Sequence, residues 1–462
     1  MTAWMERPSM AEALKERRRR LATLVEGPTV LWSGQSIGRN YPANTYPFRA
    51  SSHFLYFAGV PLEGAAIRLE DGRLELFLDE PGPAYALWHG EVPGREALAA
   101  LIGADAAYAL AELGARATGA ATLPVIDTAT RAAQAQLLER ALAAPHELDG
   151  ADRALAKAVI ALRLSHDEAA LSELRRAAAV SVVAHQAGMR VTPKAKYESE
   201  VRAAMEGVII ANRMATAYGS IVTVHGEVLH NEQYHHTLTP GDLLLADVGA
   251  ESELGWASDI TRTWPVSGRF SPTQRAIYDI VLAAHDACIV AMKPGIEYRD
   301  MHLLACTVIA AGLVDLGILR GKPEDLVERD AHALFFPHGI GHLLGLDVHD
   351  IEDLGDLAGY APGRERSQRF GLGYLRLNRP LAAGMLVTIE PGFYQVPALL
   401  DDPLRREKYA DAVSWERLGQ FADVRGIRIE DDVLVTETGT EVLTAALPTQ
   451  AEAVESLVLA GA

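Results

Sequence analysis

The chain has 462 residues, of which 49% are hydrophobic and 23% are charged, and this ordinary globular composition allows two or three domains. Its formal charge of −18 excludes nucleic acid and anionic membrane surfaces as favoured partners, because both are negatively charged. The sequence has no apolar run long enough to span a membrane and no apolar N-terminal stretch typical of a signal peptide, so we expect a cytoplasmic protein.

The first 164 residues are predicted to form an N-terminal α/β domain, because helical and strand-like patterns alternate there. An amphipathic helix is predicted over residues 1–25, and its basic run KERRRR (15–20) is interpreted as a solvated helix face. The predicted strands are TVLWSG (29–34), HFLYFAGV (53–60), both arms of AAIRLEDGRLELFLDE (65–80) around an Asp71-Gly72 turn, and TLPVIDT (122–128). Alanine- and leucine-rich helices are predicted over residues 93–120 and 129–164.

Residues 165–462 are predicted to form an α+β domain, because long helices and then short strands follow one another without regular alternation. The predicted helices are a long one running to about residue 189 from a Ser165/Glu168 capping box, then 197–218, 272–292 and 298–316. Strands are predicted at HALFFP, MLVTIEPGFY and GIRIEDDVLVT. Cys288 and Cys306 fall inside helical stretches and are expected to be buried thiols, which fits a reducing cytoplasm.

Polar residues interrupt five apolar stretches of the second half, where strands or their edges are expected. These stretches are LLLADVG (Asp247), ASDITRTW (Asp259), PHGIGHLLGLDVHD (His338, His342 and His349), VTIEPGFY (Glu390) and GIRIEDDVLV (Glu430). Strands usually reject acids, and a buried carboxylate without a partner is costly. Two divalent cations would balance four carboxylates, and oxygen-rich ligation with one imidazole favours Mn²⁺, with Co²⁺ or Zn²⁺ as alternatives.

The segment HGIGH differs from the zinc-binding HExxH helix, because it has no glutamate and contains two glycines. A loop or strand is predicted instead, in which the backbone can approach closely. Only one of His338 and His342 is then needed as a metal ligand, and the other could orient it.

Taken in this order, the stretches resemble the motifs of the "pita-bread" metallopeptidases, a family that includes methionine aminopeptidase, aminopeptidase P and prolidase. The resemblance covers about residues 165–440 and implies a pita-bread catalytic domain. It also implies a dinuclear metal centre, whose ligands would be Asp247, Asp259, His342, Glu390 and Glu430. The two aspartates lie twelve positions apart, one more than is usual in the family, so a longer hairpin loop or a bulge is expected between them.

Within this family, LGLDVHD and the upstream LHNE are similar to the Xaa-Pro branch. The resemblance implies that His230 and His349 stabilise the developing oxyanion and that Glu390 carries a proton to the leaving nitrogen. The residues predicted to contact substrate are His338, Arg376 and Arg428. The stretch 38–60 resembles the capping domain of aminopeptidase P and long prolidases, which implies a homodimer.

The long stretch 350–387 with its YLRLNRP segment resembles prolidase, in which an arginine meets the carboxylate of a dipeptide. Arg376 is the matching residue, and its planar fork suits a carboxylate. We therefore expect an Xaa-Pro dipeptidase acting on dipeptides. The nearest alternative is an Xaa-Pro aminopeptidase acting on longer peptides. Two further interpretations are a metal-free creatinase-type enzyme and a non-catalytic binding protein. The presence of all five predicted metal ligands disfavours both.

Overall fold

The computed structural model describes residues 8–82 and 84–461, which form two compact units. One unit contains the chain as far as Ala170 together with Glu253–Gly255 and Ile351–Ala358, and the other contains the rest. The predicted domain border between residues 164 and 165 stays a prediction. In the part of the chain that the structure describes, none of the helices combines the length and the apolar character needed to cross a bilayer.

The N-terminal unit is built on a four-stranded sheet with the order β1-β4-β5-β6. Its strands are β1 (Thr29–Trp32), β2 (Gly38–Tyr41), β3 (Asn44–Thr45), β4 (Ala66–Glu70), β5 (Arg73–Phe77) and β6 (Ala106–Tyr108). Its α-helices are α1 (Pro8–Ala22), α2 (Ser52–Ala58), α3 (Tyr85–His89), α4 (Arg95–Ile102), α5 (Leu113–Arg116), α6 (Thr128–Leu137) and α7 (Gly150–Arg163). The predicted hairpin is confirmed: Asp71 and Gly72 both adopt positive φ angles, 50° and 78°, between β4 and β5.

Two strand predictions in this unit are wrong. The HFLYFAGV stretch forms helix α2, which ends at Gly59 in the left-handed conformation. All residues of this helix are buried, and a short, mostly apolar run carries no periodicity that distinguishes a strand from a helix. The TLPVIDT stretch follows a single bridge between Ala121 and Thr29, and its Asp127 caps helix α6. The predicted helix over 93–120 is also divided, because Gly103 ends α4 and β6 follows.

The basic run of α1 is only in part the solvated face that its charge suggested. Arg17 and Arg18 are buried, whereas Arg19 and Arg20 are exposed. Arg17 binds both carboxylate oxygens of Asp167, at 2.7 and 2.9 Å. Arg18 donates to backbone carbonyls, including that of Phe57, at 2.8 Å, and burial lowers its pKa to about 10. These two arginines therefore fasten α1 inside the unit.

The larger unit carries the interrupted stretches of the sequence. Its strands are β7 (Ala215–Thr216), β8 (Ile221–Thr223), β9 (Leu243–Asp247), β10 (Ala250–Glu251), β11 (Thr261–Pro265), β12 (Leu386–Ile389), β13 (Gly392–Tyr394), β14 (Gly426–Arg428), β15 (Asp431–Val435) and β16 (Thr440–Val442). From residue 168 onward the helices are α8 (Glu168–Val191), α9 (Glu198–Ala211), α10 (Pro272–Ala291), α11 (Tyr298–Asp315), α12 (Pro323–Glu328), α13 (Asp356–Gly359), α14 (Pro397–Leu400), α15 (Pro403–Lys408), α16 (Trp415–Gly419) and α17 (Ala451–Leu459).

Most helix predictions in this unit are confirmed, and the exceptions have local causes. Helices α10 and α11 match the predicted ranges, and Cys288 and Cys306 are buried free thiols within them. Helix α9 ends before the predicted Tyr218, because Arg213 adopts a positive φ of 57°. HALFFP is a 3₁₀ turn over His332–Leu334 rather than a strand.

Short antiparallel sheets bring the interrupted stretches together. Their orders are β11-β9-β8, β12-β15-β16 and β13-β14. A single bridge between Thr261 and Glu430 connects β11 to the segment between β14 and β15, and another between Leu343 and Val387 joins the loop after HGIGH to β12. On one side of β9, Leu244 and Ala246 join the main core with Ile260 and Trp264. Because side chains alternate along a strand, Asp247 points to the opposite side.

The hairpin between β9 and β11 keeps one register from the strands to its turn. Asp247 pairs with Thr261. Backbone hydrogen bonds from Val248 N to Ile260 O and from Ser258 N to Ala250 O continue the same register. No bulge therefore separates Asp247 from Asp259 within this described hairpin, and the added length lies in the turn. The two aspartates share one face on neighbouring strands.

Candidate active site

Asp247 and Asp259 meet at the hydroxyl of Tyr218. Tyr218 Oη lies 2.6 Å from Asp247 Oδ1 and 2.5 Å from Asp259 Oδ1. Burial, with the charges of both aspartates, raises the pKa of Tyr218 well above its ordinary value, so the phenol stays protonated. A single phenol has one proton to donate, so it bridges two acids without neutralising either of them.

His342 and Glu430 lie beside Asp259. One ligand atom from each of these three buried residues falls within 4.8 Å of the other two. Thr261 Oγ1 donates to Glu430 Oε2 at 2.6 Å. His342 Nδ1 donates to the carbonyl of Leu343 at 2.9 Å, since a carbonyl only accepts, and this leaves the lone pair on Nε2.

Glu390 extends the cluster from the end of β12. His342 Nε2 lies 3.7 Å from Glu390 Oε1 and 3.4 Å from Asp259 Oδ2. The longer separation exceeds hydrogen-bond range, and the shorter exceeds the usual distance. Both are short enough for the three atoms to share a cation.

The HGIGH segment reaches this position without helical structure, as predicted. Gly341 has a φ of 153°, and a Cβ there would lie 2.3 Å from both the carbonyl of Thr388 and the hydroxyl of Tyr298. Only glycine fits this close approach. The backbone N–H of the next residue, His342, donates to Thr388 Oγ1 on the neighbouring strand, at 3.1 Å.

Four carboxyl groups are crowded into a buried space. Burial, and then the charge of Asp259, raises the pKa of Asp247, and burial likewise raises the pKa of Asp259. Burial, with the neighbouring aspartates, raises the pKa of Glu390 to about 8. Burial and the charges of Asp259 and Glu390 raise the pKa of Glu430 well above its ordinary value. The protein's own charges therefore leave this cluster short of positive charge.

Arg428 is the cation in direct contact with the cluster. Its guanidinium donates to Asp247 Oδ2 at 2.6 Å, to Thr261 Oγ1 at 2.9 Å and to Tyr394 Oη at 2.9 Å. The other arginine of these strands, Arg262, is occupied by Asp431 at 2.8 Å. The expected contact of Arg428 with substrate stays a prediction; in the structure its guanidinium contacts Asp247, a candidate metal ligand.

The donor set fits divalent cations. Four buried carboxylates and the imidazole of His342 offer mainly hard oxygen ligands, which suit Mn²⁺ and related ions. The raised pKa values show that positive charge would be favourable here. All five predicted metal ligands thus meet in one place, from β9, β12, the end of β14 and the two intervening loops.

Three further histidines lie around the cluster. The ring of His349 lies 4.1 Å from that of His342, centroid to centroid. His338 Nε2 lies 2.9 Å from Tyr394 Oη, and burial followed by the charge of Arg428 lowers its pKa to about 3. His230 is exposed, yet partial burial and the charge of Arg428 lower its pKa.

Arg376 also lies near the site, because its charge acts on the pKa of both His230 and Glu390.

Sequence reasoning missed three residues that hold the ligands. Tyr218 bridges the two aspartates, and Tyr394 joins Arg428 to His338. Asp432 accepts hydrogen bonds from Ser258 Oγ and from the backbone N–H of Asp259. The Asp431-Asp432 pair directly after Glu430 was a sequence signal that could have identified Asp432. Tyr218 and Tyr394 carry no such signal, because tyrosine is ordinary at both positions.

Comparisons with known proteins identify the family of the chain. Residues 172–437 match the model of metallopeptidase family M24, and residues 14–122 match that of the aminopeptidase P N-terminal domain. A probable Xaa-Pro aminopeptidase of Tuber melanosporum is 33% identical over 86% of this chain and 84% of its own length. The Xaa-Pro dipeptidase of Homo sapiens is 30% identical over 96% of this chain and 91% of its own.

Among solved structures, an Escherichia coli aminopeptidase P variant in complex with substrate superposes with a TM-score of 0.80 at 27% identity, over 98% of each chain. The expected architecture, an aminopeptidase P-type N-terminal domain followed by a pita-bread domain, is confirmed. The chain therefore belongs to metallopeptidase family M24 and is a hydrolase.

Proposed function

We propose that this chain is an Xaa-Pro aminopeptidase, which removes the N-terminal residue from peptides whose second residue is proline. The observation that carries the proposal is the buried cluster of four carboxyl groups and His342, which is short of positive charge. The aminopeptidase P-like N-terminal match and the aminopeptidase P structure support the longer-peptide reading better than the dipeptidase that the sequence led us to expect.

We propose that the site binds two divalent cations, and Mn²⁺ is the ion that suits its oxygen-rich donors best. Asp247, Asp259, His342, Glu390 and Glu430 would hold them. When bound, they supply the Lewis acidity that activates water and polarises the scissile carbonyl. Tyr218, Arg428 and Thr261 position the carboxylates by the hydrogen bonds described above.

The chain's own residues manage the proton and the developing charge. Glu390 takes a proton as water adds to the carbonyl carbon, and returns it to the proline nitrogen as the C–N bond breaks. His349 and His230 donate to the carbonyl oxygen as it becomes negative. Proline has no N–H to offer as a recognition group, so a site shaped for its ring is needed.

A second candidate, the Xaa-Pro dipeptidase, is favoured by one observation. Arg376 lies near enough for its charge to act on His230 and Glu390. A guanidinium there could bind the carboxylate of a dipeptide through two hydrogen bonds. In a longer peptide that carboxylate lies further along, and Arg376 would contact the peptide backbone instead.

The test compares kcat/KM for Ala-Pro and Ala-Pro-Ala with the Mn²⁺-loaded enzyme. The proposal predicts faster cleavage of the tripeptide, with alanine as the released N-terminal residue. Faster cleavage of Ala-Pro, lost specifically in an Arg376→Gln variant, would replace it with the dipeptidase. Arg364→Gln is the matched control, because Arg364 pairs with Glu297 at 2.6 Å and has no part in the proposed site. The proposed homodimer is checked separately by light scattering of the same preparation.

A further inference from the structure

A second cluster of metal-ligand types lies in the larger unit, apart from the five candidate ligands. It consists of His302 and Cys306, one turn apart on α11, and His332 in the following 3₁₀ turn. One ligand atom from each lies within 4.8 Å of the other two, and all three residues are buried. The proposed peptidase mechanism does not use any of them.

His332 shows why this cluster differs from ordinary core packing. Its side chain is 1% exposed, yet neither ring nitrogen has a hydrogen-bond partner among the described residues. The backbone of Leu326 acts to raise the pKa of the His332 ring, but its position does not meet hydrogen-bond geometry. A buried imidazole whose two nitrogens are unsatisfied is costly, and a metal ligand bond would satisfy the lone-pair nitrogen.

His302 is already oriented as metal-bound histidines usually are. Its Nε2 lies 2.7 Å from the carbonyl of Gly371, so Nε2 carries the proton and Nδ1 carries the lone pair. Cys306 Sγ lies 3.9 Å from Nδ1 and 3.5 Å from Nε2, so the sulfur approaches the ring edge between the two nitrogens. In a tetrahedral zinc site, bond lengths of about 2.3 Å to sulfur and 2.0 Å to nitrogen place Sγ and Nδ1 about 3.5 Å apart. A small side-chain movement would therefore suffice.

The charges of the three residues also suit a cation. Burial lowers the pKa of both His302 and His332 to about 4, so both imidazoles are neutral. Burial raises the pKa of the Cys306 thiol well above its ordinary value, so the thiol would give up one proton when a metal binds. The negative charge of Asp330 acts on both Cys306 and His332, and Arg369, which binds Asp330 at 2.9 Å, offsets part of that charge at His332.

We propose that His302, Cys306 and His332 form a separate site for one thiophilic divalent cation, of which Zn²⁺ is the best match. One thiolate and two imidazoles are softer ligands than carboxylates, so this site selects Zn²⁺ where the acidic cluster selects Mn²⁺. The ion would fasten α11 to the turn that precedes HGIGH. Phe336 packs against the rings of both His302 and His338, which connects the site to the candidate active site by direct contacts.

Cobalt substitution of the full-length protein tests the proposal. Tetrahedral Co²⁺ bound to a thiolate gives a near-ultraviolet charge-transfer band, whereas carboxylates and imidazoles do not. Because Cys288 and Cys306 are the only cysteines of the chain, such a band can come from no other residues. We expect the band in the unsubstituted protein and in Cys288→Ser, and its loss in Cys306→Ser.

Zinc stoichiometry after dialysis gives a second reading that does not depend on spectroscopy. Cys306→Ser and His332→Gln should each retain one zinc ion fewer per chain than the unsubstituted protein, and Cys288→Ser should retain the same number. Absence of a thiolate band in the unsubstituted protein would overturn the proposal, even if the variants fail to fold. Persistence of the band in Cys306→Ser would overturn it as well.

Discussion

The candidate active site depends on acids that are placed where strands normally exclude them. Asp247 and Asp259 share one face of the hairpin, and Tyr218 donates its hydroxyl proton between them. Glu430 is fixed by Thr261, and His342 by the carbonyl of Leu343. Without cations this arrangement is strained electrostatically, because its carboxyl groups have raised pKa values. With cations the same crowding becomes a binding site.

Asp259→Asn should therefore act in opposite directions on activity and on metal-free stability. We expect kcat/KM with Mn²⁺ to fall by about 10³-fold or more, because a two-metal site contributes several kcal/mol to the transition state. In EDTA the Tm should rise, because one crowded acid is gone. Enzyme assays and calorimetry check both effects. Asp315→Asn, which changes an exposed acid, should alter neither. A lower Tm in EDTA would contradict the proposed crowding.

Tyr218→Phe should weaken metal binding without disturbing the fold. The variant keeps the ring but removes the proton that orients both aspartates, so we expect Mn²⁺ affinity to fall about 10-fold. Isothermal titration of the metal-free protein measures this change. Tyr278→Phe is the matched control, because this buried hydroxyl donates to the carbonyl of Thr449 at 2.6 Å, away from the acids. Equal affinity in the two variants would exclude a positioning role for Tyr218.

For single residues, the sequence predicts a functional site where a residue type departs from the local secondary-structure pattern. Acids in apolar strands and glycines around histidine are such departures, and they pointed to all five candidate ligands, whose metal-binding roles stay predictions. A tyrosine at the end of a predicted helix breaks no rule, so Tyr218 could not be found from its neighbours. Its partners are distant in sequence, and only the register of the hairpin brings them within its reach.

Among the structural elements, the β9–β11 hairpin sets the spacing of the acids. Gly249 faces Asp259 across the hairpin, and a Cβ at Gly249 would lie 1.8 Å from the carbonyl oxygen of Ser258. The two backbones can stay in register only because this side chain is absent. The glycine of DVG is thus needed for the same reason as the aspartate that precedes it.

Gly249→Ala should separate the two strands near Asp259. We expect the free energy of unfolding to fall by about 3 kcal/mol, with loss of Mn²⁺ binding, because the new methyl group overlaps backbone rather than a mobile side chain. Urea unfolding and metal titration measure the two effects. Gly207→Ala on α9 is the control, since no atom lies within 4 Å of its added Cβ, and it should stabilise by about 0.5 kcal/mol. Retained metal binding in Gly249→Ala would contradict the proposed role.

Helix α8 contributes a buried histidine with a clear pH signature. His185 Nε2 donates to the carbonyl of Val248 at 3.1 Å, and burial followed by the charge of Arg262 lowers its pKa to about 4. Below its ordinary pKa, the unfolded chain binds a proton that the folded chain refuses. Its contribution to stability is therefore complete above about pH 6.5 and is lost as the pH falls towards 4.

His185→Gln should flatten this part of the pH profile. Between pH 7.5 and pH 5, the unsubstituted protein should lose roughly 2 kcal/mol more stability than the variant. Urea unfolding at the two pH values provides the comparison. His235→Gln, at an exposed position, should keep the full pH dependence. Parallel profiles for His185→Gln and the unsubstituted protein would show that His185 takes up its proton equally in both states.

Helices and strands were predictable where the hydrophobic pattern agreed with the residues that begin or end such elements. The Asp71-Gly72 hairpin and helices α10 and α11 have both a periodic apolar face and defined ends. Apart from one histidine each, HFLYFAGV and HALFFP are apolar, so their helical and 3₁₀ conformations are decided by surroundings that the sequence does not display. In α1, charge alone suggested solvent exposure, whereas distant carbonyls and Asp167 bury Arg17 and Arg18.

On the scale of the whole molecule, the order of motifs predicted the architecture better than it predicted substrate length. The N-terminal unit includes Glu253–Gly255 and Ile351–Ala358, far along the chain, and no local pattern indicates that. The long stretch 350–387 and Arg376 suggested a dipeptidase, whereas the N-terminal match and the structural comparison favour an aminopeptidase P. Sequence length between motifs and the comparisons thus favour different branches of the family, and the substrate length stays a prediction.

The most direct test of the central claim is metal-dependent cleavage of matched tripeptides. The protein is dialysed against EDTA, and kcat/KM is then measured for Ala-Pro-Ala and Ala-Ala-Ala, with and without added Mn²⁺. The account predicts cleavage of the Ala-Pro bond only when Mn²⁺ is present, with saturation at two ions at the acidic cluster and with Ala-Ala-Ala at least about 100-fold slower. Equal cleavage of the two peptides, or unchanged activity without metal, would contradict it.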